Sequence, residues 1–130
     1  MGESIFVVGG SPLSPPTPLS KEEFDVYDQV IRAVTEDGPL DVDDESGPAL
    51  QEAREIFALL KSKSDYVKVE VHRINEPGAA GPGRAMDVAV SWKDKEKGST
   101  RTTKVYPRGR GVCEVVYTIR NLLNHAWMVP

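Results

Sequence analysis

The chain has 130 residues, of which 39% are hydrophobic and 28% are charged, and these values lie near the averages of globular domains. They exclude wholesale disorder and predict a single core. The single cysteine, Cys113, excludes an internal disulfide and a multi-cysteine metal site. The longest apolar run near the start, "IFVV", is far too short for a signal peptide or a membrane span, so we expect a soluble cytoplasmic protein with no membrane contact.

The charge is divided unevenly along the chain. The formal net charge is −4, yet residues 1–60 hold 13 acids against 3 bases, and residues 61–110 hold 6 acids against 12 bases. The overall sign argues against indiscriminate nucleic-acid binding, but it leaves room for a local basic footprint. The two halves either pair with each other or present two differently charged faces.

Residues 1–19 are predicted to form a short strand followed by an extended arm. "SIFVV" consists mainly of β-forming residues and is bounded by a glycine pair. "GGSPLSPPTPLS" then holds four prolines, which fix φ and bias their predecessors away from helix. The P-x-x-P spacing of Pro12 and Pro15 also suits a ligand for an aromatic-lined groove, although a linker is the simpler interpretation.

Two amphipathic helices open a single α+β domain over residues 20–130. Ser20 and Glu23 have the spacing of a capping box, and the first helix is expected to end near Thr35. Pro48 suits the first turn of the second helix, which follows an acidic connector. The two apolar stripes at helical spacing comprise Phe24, Tyr27, Ile31 and Val34, and then Leu50, Ala53, Phe57 and Leu60.

Three strands in an antiparallel meander are predicted next, from the alternation in "YVKVEVHRI", "AMDVAVSW" and "RTTKVYP". The last segment, "GVCEVVYTIRNLLNHAW", has an apolar helical face and is expected to pack on the inner face of the sheet. The predicted element order is therefore α-α-β-β-β-α. The residues expected on the opposite, polar face are Lys68, Glu70, His72, Asp87, Ser91, Thr102, Lys104 and Tyr106.

Motifs for catalysis or metal binding are weak. The acids of "DVDDESGPALQE" fall at calcium-loop positions, but Ser46 stands where that loop needs glycine, and Pro48 cannot donate the hydrogen bond that the loop requires. His72 and His125 show no metal-binding spacing, and the glycine-rich pieces fit neither phosphate-binding fingerprint. We therefore expect a protein that is not an enzyme and has no metal and no cofactor.

The sharpest candidate is the basic stretch "WKDKEKGSTRTTKVYPRGRG". Arginines before a helix N-terminus can hold a phosphate, and a lysine beside a tyrosine on one strand face is a pairing that RNA-binding proteins use. Lysine-rich turns also protect sheet edges from aggregation, which is the simpler structural explanation. The candidate nucleic-acid-binding residues are Lys93, Lys95, Lys97, Arg101, Lys104, Tyr106, Arg108 and Arg110.

The order helix-strand-strand-strand-helix over residues 48–127 resembles the double-stranded-RNA-binding domain. It also resembles the Alu-binding subunits of the signal recognition particle, small α-β-β-β-α proteins that contact RNA with a sheet. Both resemblances rest on the element pattern and imply RNA contact by this domain. The first family's lysine cluster at the start of its last helix is absent from "GVCEVVYTIRN", and its motif loop is not matched by "NEPGAAGPGR".

Two hypotheses for function follow. In the first, a non-enzymatic subunit contacts RNA or another polyanion through the basic hairpin and the N-terminus of the last helix. In the alternative, a protein-interaction module (an adaptor, inhibitor or assembly protein) uses the acidic helical half and the proline-rich arm. The apolar end of the chain, Trp127 to Val129, would then serve as a docking surface or a homodimer contact.

Overall fold

The structure is a computed structural model and describes residues 4–8, 21–74, 84–105 and 111–128. The predicted order α-α-β-β-β-α is confirmed, and a short strand precedes it. The elements are β1 (Ser4–Val8), α1 (Lys21–Thr35), α2 (Ser46–Lys63), β2 (Ser64–Ile74), β3 (Arg84–Asp94), β4 (Thr100–Val105) and α3 (Val112–Met128). The predicted proline-rich arm lies outside the described residues.

The strands form a sheet in the order β1-β4-β3-β2. The antiparallel meander of β2, β3 and β4 is confirmed. The predicted N-terminal strand also joins this sheet, pairing in parallel with β4 in a register from Ser4 opposite Arg101 to Val8 opposite Val105. β1 and β2 therefore form the two edges of the described sheet, with β3 and β4 between them.

The helices pack on one face of the sheet, where the alternating strands place their apolar residues. α1 contacts β2 and β3, α3 contacts β3 and β4, and α2 packs mainly along α3. Val88, Val90 and Trp92 of β3 are buried beneath them. Fully burying one such side chain contributes about 1.5–3 kcal/mol, so this layer holds the sheet and the helices together.

α2 and α3 run in the same direction. In the first half of α2, Glu52 Oε2 lies 3.2 Å from Nη1 of Arg120, which is in the middle of α3. Toward their ends, Lys63 Nζ lies 4.5 Å from the centre of the Trp127 ring, a favourable cation–aromatic contact. Trp127 is half-buried against the core, while the neighbouring Met128 is exposed.

The acidic connector between α1 and α2 is held on the helix side of the molecule. Arg54 of α2 donates from Nε to the Ala33 carbonyl at 2.9 Å and from Nη2 to the Gly38 carbonyl at 3.2 Å. Its Nε also lies 3.6 Å from Asp37 Oδ1. At the other end of the connector, the Tyr117 hydroxyl donates to the Glu45 carbonyl at 3.2 Å.

The acids that match calcium-loop positions take a different role. Asp43 Oδ1 accepts a hydrogen bond of 2.8 Å from the N–H of Ser46, the first residue of α2. This bond satisfies one of the N–H groups that a helix start leaves without a partner. Within the described ranges, no three carboxylate, histidine or cysteine groups are arranged to hold a metal ion.

Candidate nucleic-acid interface

The face of the sheet opposite the helices, called the outer face, carries the polar residues of β2, β3 and β4. The strand register arranges them in rows across the sheet. Residues that are directly opposite on antiparallel strands point to the same side. The rows are Lys93 and Thr100 near the hairpin; Lys68, Ser91 and Thr102; Glu70, Ala89 and Lys104; and His72 and Asp87.

Small side chains on the central strand leave a groove along the outer face. Ala89 and Ser91 of β3 lie between longer side chains of β2 and β4. Adjacent strands are about 4.8 Å apart, so the outer two strands of the meander are separated by roughly 10 Å. An open depression of about 570 Å³ lies there, lined by Tyr66, Val67, Lys68, Glu70, Ser91, Thr100 and Thr102.

Hydroxyl groups form the polar floor of this depression. Ser91 Oγ and Thr102 Oγ1 lie 3.1 Å apart, and either of the two can donate to the other. Since each hydroxyl has one proton and two acceptor lone pairs, this contact leaves hydrogen-bonding capacity for a ligand. Tyr66, at the rim, is 42% exposed although it is a large aromatic residue.

Among the residues of β2, β3 and β4 whose register places them on the outer face in the described part of the chain, there are more lysines than carboxylates. Lys68, Lys93 and Lys104 contribute three positive charges, against the carboxylates of Glu70 and Asp87. Lys68 Nζ lies 3.5 Å from Glu70 Oε2, and the two side chains are 62% and 41% exposed. An exposed ion pair of this kind is weak, generally 0–1 kcal/mol. Lys68 can therefore leave Glu70 and pair with an anionic ligand such as a phosphate.

A histidine–aspartate pair closes one end of the outer face. His72 Nδ1 lies 2.5 Å from Asp87 Oδ1, and Asp87 is buried although His72 is exposed. Ser91 lies four residues farther along β3 than Asp87, a distance of about 13 Å in a strand. The pair is therefore not placed to activate the Ser91 hydroxyl, and its direct effect is to give the buried Asp87 carboxylate a hydrogen-bond partner.

The hairpin between β3 and β4 is built around Asp94. Asp94 Oδ1 accepts hydrogen bonds from the N–H groups of Glu96 at 2.8 Å and Lys97 at 3.0 Å. The Lys97 N–H, and to a smaller degree the Glu96 N–H, lowers the pKa of the Asp94 carboxyl from its ordinary value. Gly98 follows at a φ of 68°, where glycine carries no Cβ penalty.

The basic residues predicted to form one binding surface do not all lie on the same face of the sheet. Lys93 and Lys104 lie on the outer face, but the register places Arg101 beside Trp92, on the helix side. Lys95 Nζ donates to the Ser62 carbonyl at 3.2 Å, and its N–H donates to the Lys63 carbonyl, so Lys95 binds the C-terminal end of α2. Lys97 is exposed in the turn.

Three predicted site residues, Tyr106, Arg108 and Arg110, lie outside the described residues. Conversely, Lys68 and Tyr66 line the groove, although neither is among the nucleic-acid-binding residues predicted from the sequence. The alternation of β2 was sufficient to place Lys68 on the outer face. The position of Tyr66 was not readable, because a register irregularity falls between Ser64 and Val67.

Comparison with known proteins adds no relative. No protein-family model matches the sequence, and no curated protein or solved structure shows significant similarity to it. Among the described helices, none is both long enough and apolar enough to cross a membrane. The geometry of the outer face is therefore the feature that bears on function.

Proposed function

We propose that the protein is a non-enzymatic RNA-binding subunit that contacts single-stranded RNA with the outer face of its sheet. The observation that carries the proposal is the groove over β3. Its floor consists of the Ser91 and Thr102 hydroxyl groups, and both Lys68 and the exposed Tyr66 line it. Lys93 and Lys104 lie on the same outer face, although they do not line the depression itself. The described helices all pack on the other face.

Each part of the groove suits one part of a polynucleotide. Lysines neutralise phosphates and release counterions, which supplies most of the sequence-independent affinity. The Ser91 and Thr102 hydroxyls can donate to or accept from ribose hydroxyls. Tyr66 can stack on a base, a contact that contributes about 1–3 kcal/mol. An open sheet face accommodates unpaired bases better than a duplex, which favours single-stranded RNA.

The carboxylates of Glu70 and Asp87 limit the affinity on this face. They repel phosphates, so an RNA backbone is expected to follow Lys93, Lys68 and Lys104 and to avoid the end of the outer face that His72 and Asp87 occupy. With three lysines in contact, the logarithm of the association constant should fall with the logarithm of salt concentration with a slope of about −2, since each phosphate contact with a single strand contributes about −0.7.

The test is fluorescence anisotropy with a labelled single-stranded RNA at several salt concentrations. The triple variant Lys68→Ala, Lys93→Ala, Lys104→Ala should lose most of the affinity and most of the salt dependence. The matched control is Lys21→Ala, Arg32→Ala, Lys61→Ala, which removes the same charge from exposed positions on α1 and α2. Equal loss in both triple variants, or no binding by the wild-type chain, would reject the proposal.

A further inference from the structure

β2 is an edge strand of the sheet formed by the residues that the structure describes. It spans Ser64–Ile74, pairs with β3 on one side and is the terminal strand in the described order. An edge strand presents a row of backbone N–H and C=O groups that another strand can pair with. Irregularities in register occur at Ser64/Val67 and His72/Arg73, and they leave a regular segment, Val67–His72, between them.

The apolar side of this segment is incompletely covered. Val67, Val69 and Val71 point toward the helices, yet all three are only half-buried. Their neighbours on β3, Val88 and Val90, are 0% exposed. The difference follows from position, because the side chains of an edge strand have a neighbouring strand on one side only. A strand added along β2 would cover these valines as well as the backbone groups.

The sequence of the segment is complementary to itself. When two copies are placed antiparallel with Val69 opposite Val69, Lys68 faces Glu70 in both halves of the pair, and Val67 faces Val71. Opposite charges and β-branched residues directly across two strands are both favourable pairs. A shift of two residues either way places Glu70 opposite Glu70 or Lys68 opposite Lys68, which is repulsive. A shift that exchanges the two faces would place charged residues opposite valines.

We propose that the protein forms a symmetric homodimer by antiparallel pairing of the β2 edges, centred on Val69. The four strands of each copy then form one continuous sheet, with the helices of both copies on the same side. Lys68 of one copy contacts Glu70 of the partner subunit, next to its own ion pair with Glu70. The dimer does not depend on RNA binding, although it would place the two grooves side by side.

Charge reversal tests the register in solution. Sedimentation velocity should show a dimer for the wild-type chain and a shift toward monomer for Lys68→Glu and for Glu70→Lys, each of which places like charges opposite each other twice. We expect each single variant to raise the dimer dissociation constant about tenfold or more, which corresponds to about 1.4 kcal/mol. The double variant Lys68→Glu, Glu70→Lys restores opposite charges and should restore the dimer.

Disulfide trapping tests the position of the two-fold axis independently. In a Cys113→Ser background, Val69→Cys places two thiols directly opposite each other, where the backbone separation of about 4.5–5.5 Å permits a disulfide. Oxidised glutathione should therefore convert this variant to a covalent dimer. The control is Val71→Cys, which is also half-buried, but its two copies lie about 13 Å apart in the proposed register and should not be linked.

The two sets of variants together distinguish the proposed homodimer from a monomer and from a dimer formed through another surface. The proposal is supported if each single charge reversal weakens the dimer and the double variant restores it. The disulfide must also form at residue 69 and not at residue 71. A monomeric wild-type chain overturns it. A dimer that is indifferent to the charge reversals, or a double variant that stays monomeric while its circular dichroism matches that of the wild type, also overturns it.

Discussion

Gly98 is required by the geometry of the β3–β4 turn. Its φ of 68° lies in the left-handed region, and its N–H donates to the Asp94 carbonyl at 2.8 Å. Apart from Gly98 itself and its two neighbours in the chain, no described atom lies within 4 Å of the position that a Cβ would occupy. A residue with a side chain would therefore be destabilised here by its left-handed backbone conformation, and not by a steric clash. The turn fixes the position of Lys93 opposite Thr100 of β4, and Thr100 lines the groove. The geometry of the turn therefore affects the shape of the groove.

Gly98→Ala should lower the free energy of unfolding by about 1–2 kcal/mol, the cost of a left-handed conformation for a residue with a Cβ. The control is Gly47→Ala in the first turn of α2, where a Cβ also meets open space and no left-handed φ is needed. That change should raise the free energy of unfolding by about 0.5 kcal/mol. Urea denaturation measures both, and equal effects at the two glycines would contradict this explanation.

Asp94 should make stability depend on pH. Its pKa in the folded protein is below the ordinary value of 3.8, so its charge stabilises the fold above the unfolded-state pKa. That contribution is lost as the pH falls through the lower folded-state pKa. Thermal unfolding should show Asp94→Asn to be less stable than the wild type at pH 7, with the difference shrinking in acid. A difference that stays constant with pH would show that the charge of Asp94 is not responsible.

Arg54 links the end of α1 to the middle of α2. Two carbonyls accept its guanidinium N–H groups, and its side chain is 28% exposed. The carbonyls at a helix C-terminus have no hydrogen-bond partner within the helix. The Arg54 side chain therefore supplies a donor to the Ala33 carbonyl at the end of α1, and it also holds the connector through the Gly38 carbonyl. By contrast, the Arg32–Asp28 pair lies within α1, and its side chains are well exposed.

Arg54→Ala should therefore cost about 2 kcal/mol of folding free energy, since hydrogen bonds from charged groups contribute about 1.5–3 kcal/mol. Arg32→Ala is the matched control and should cost less than about 0.5 kcal/mol, as for exposed pairs one helical turn apart. Chemical denaturation of both variants checks the contrast. If Arg32→Ala proved the more damaging change, the assigned role of Arg54 would be wrong.

The helices and the meander were predictable because each has a repeating pattern. The apolar stripe of α3 and the alternation of β3 follow from the periods of helix and strand alone. The parallel pairing of β1 with β4 was not predictable, because "SIFVV" carries no information about its partner. The role of Asp43 was also not predictable. The acids around it match positions of a calcium loop, whereas its carboxylate accepts a hydrogen bond from the Ser46 N–H.

The molecule as a whole is two-sided, with an acidic connector on the helix side and a lysine-bearing outer face. The sequence indicated the separation of charge, and the alternation of strands placed Lys104 correctly. The role of Lys95 was not readable, because its contact with the Ser62 carbonyl joins residues far apart in the chain. The position of Arg101 required the register with β3. The alternative hypothesis of a protein-interaction module stays a prediction.

Amide chemical-shift mapping tests the central claim most directly. Isotope-labelled protein is titrated with a short single-stranded RNA, and the perturbed backbone N–H groups are located on the sheet and the helices. We predict that the largest shifts fall on β2, β3 and β4 around Lys68, Ser91 and Thr102, and that they weaken as salt is raised. Shifts confined to α2 and α3, or no shifts at low salt, would contradict RNA binding by the outer face.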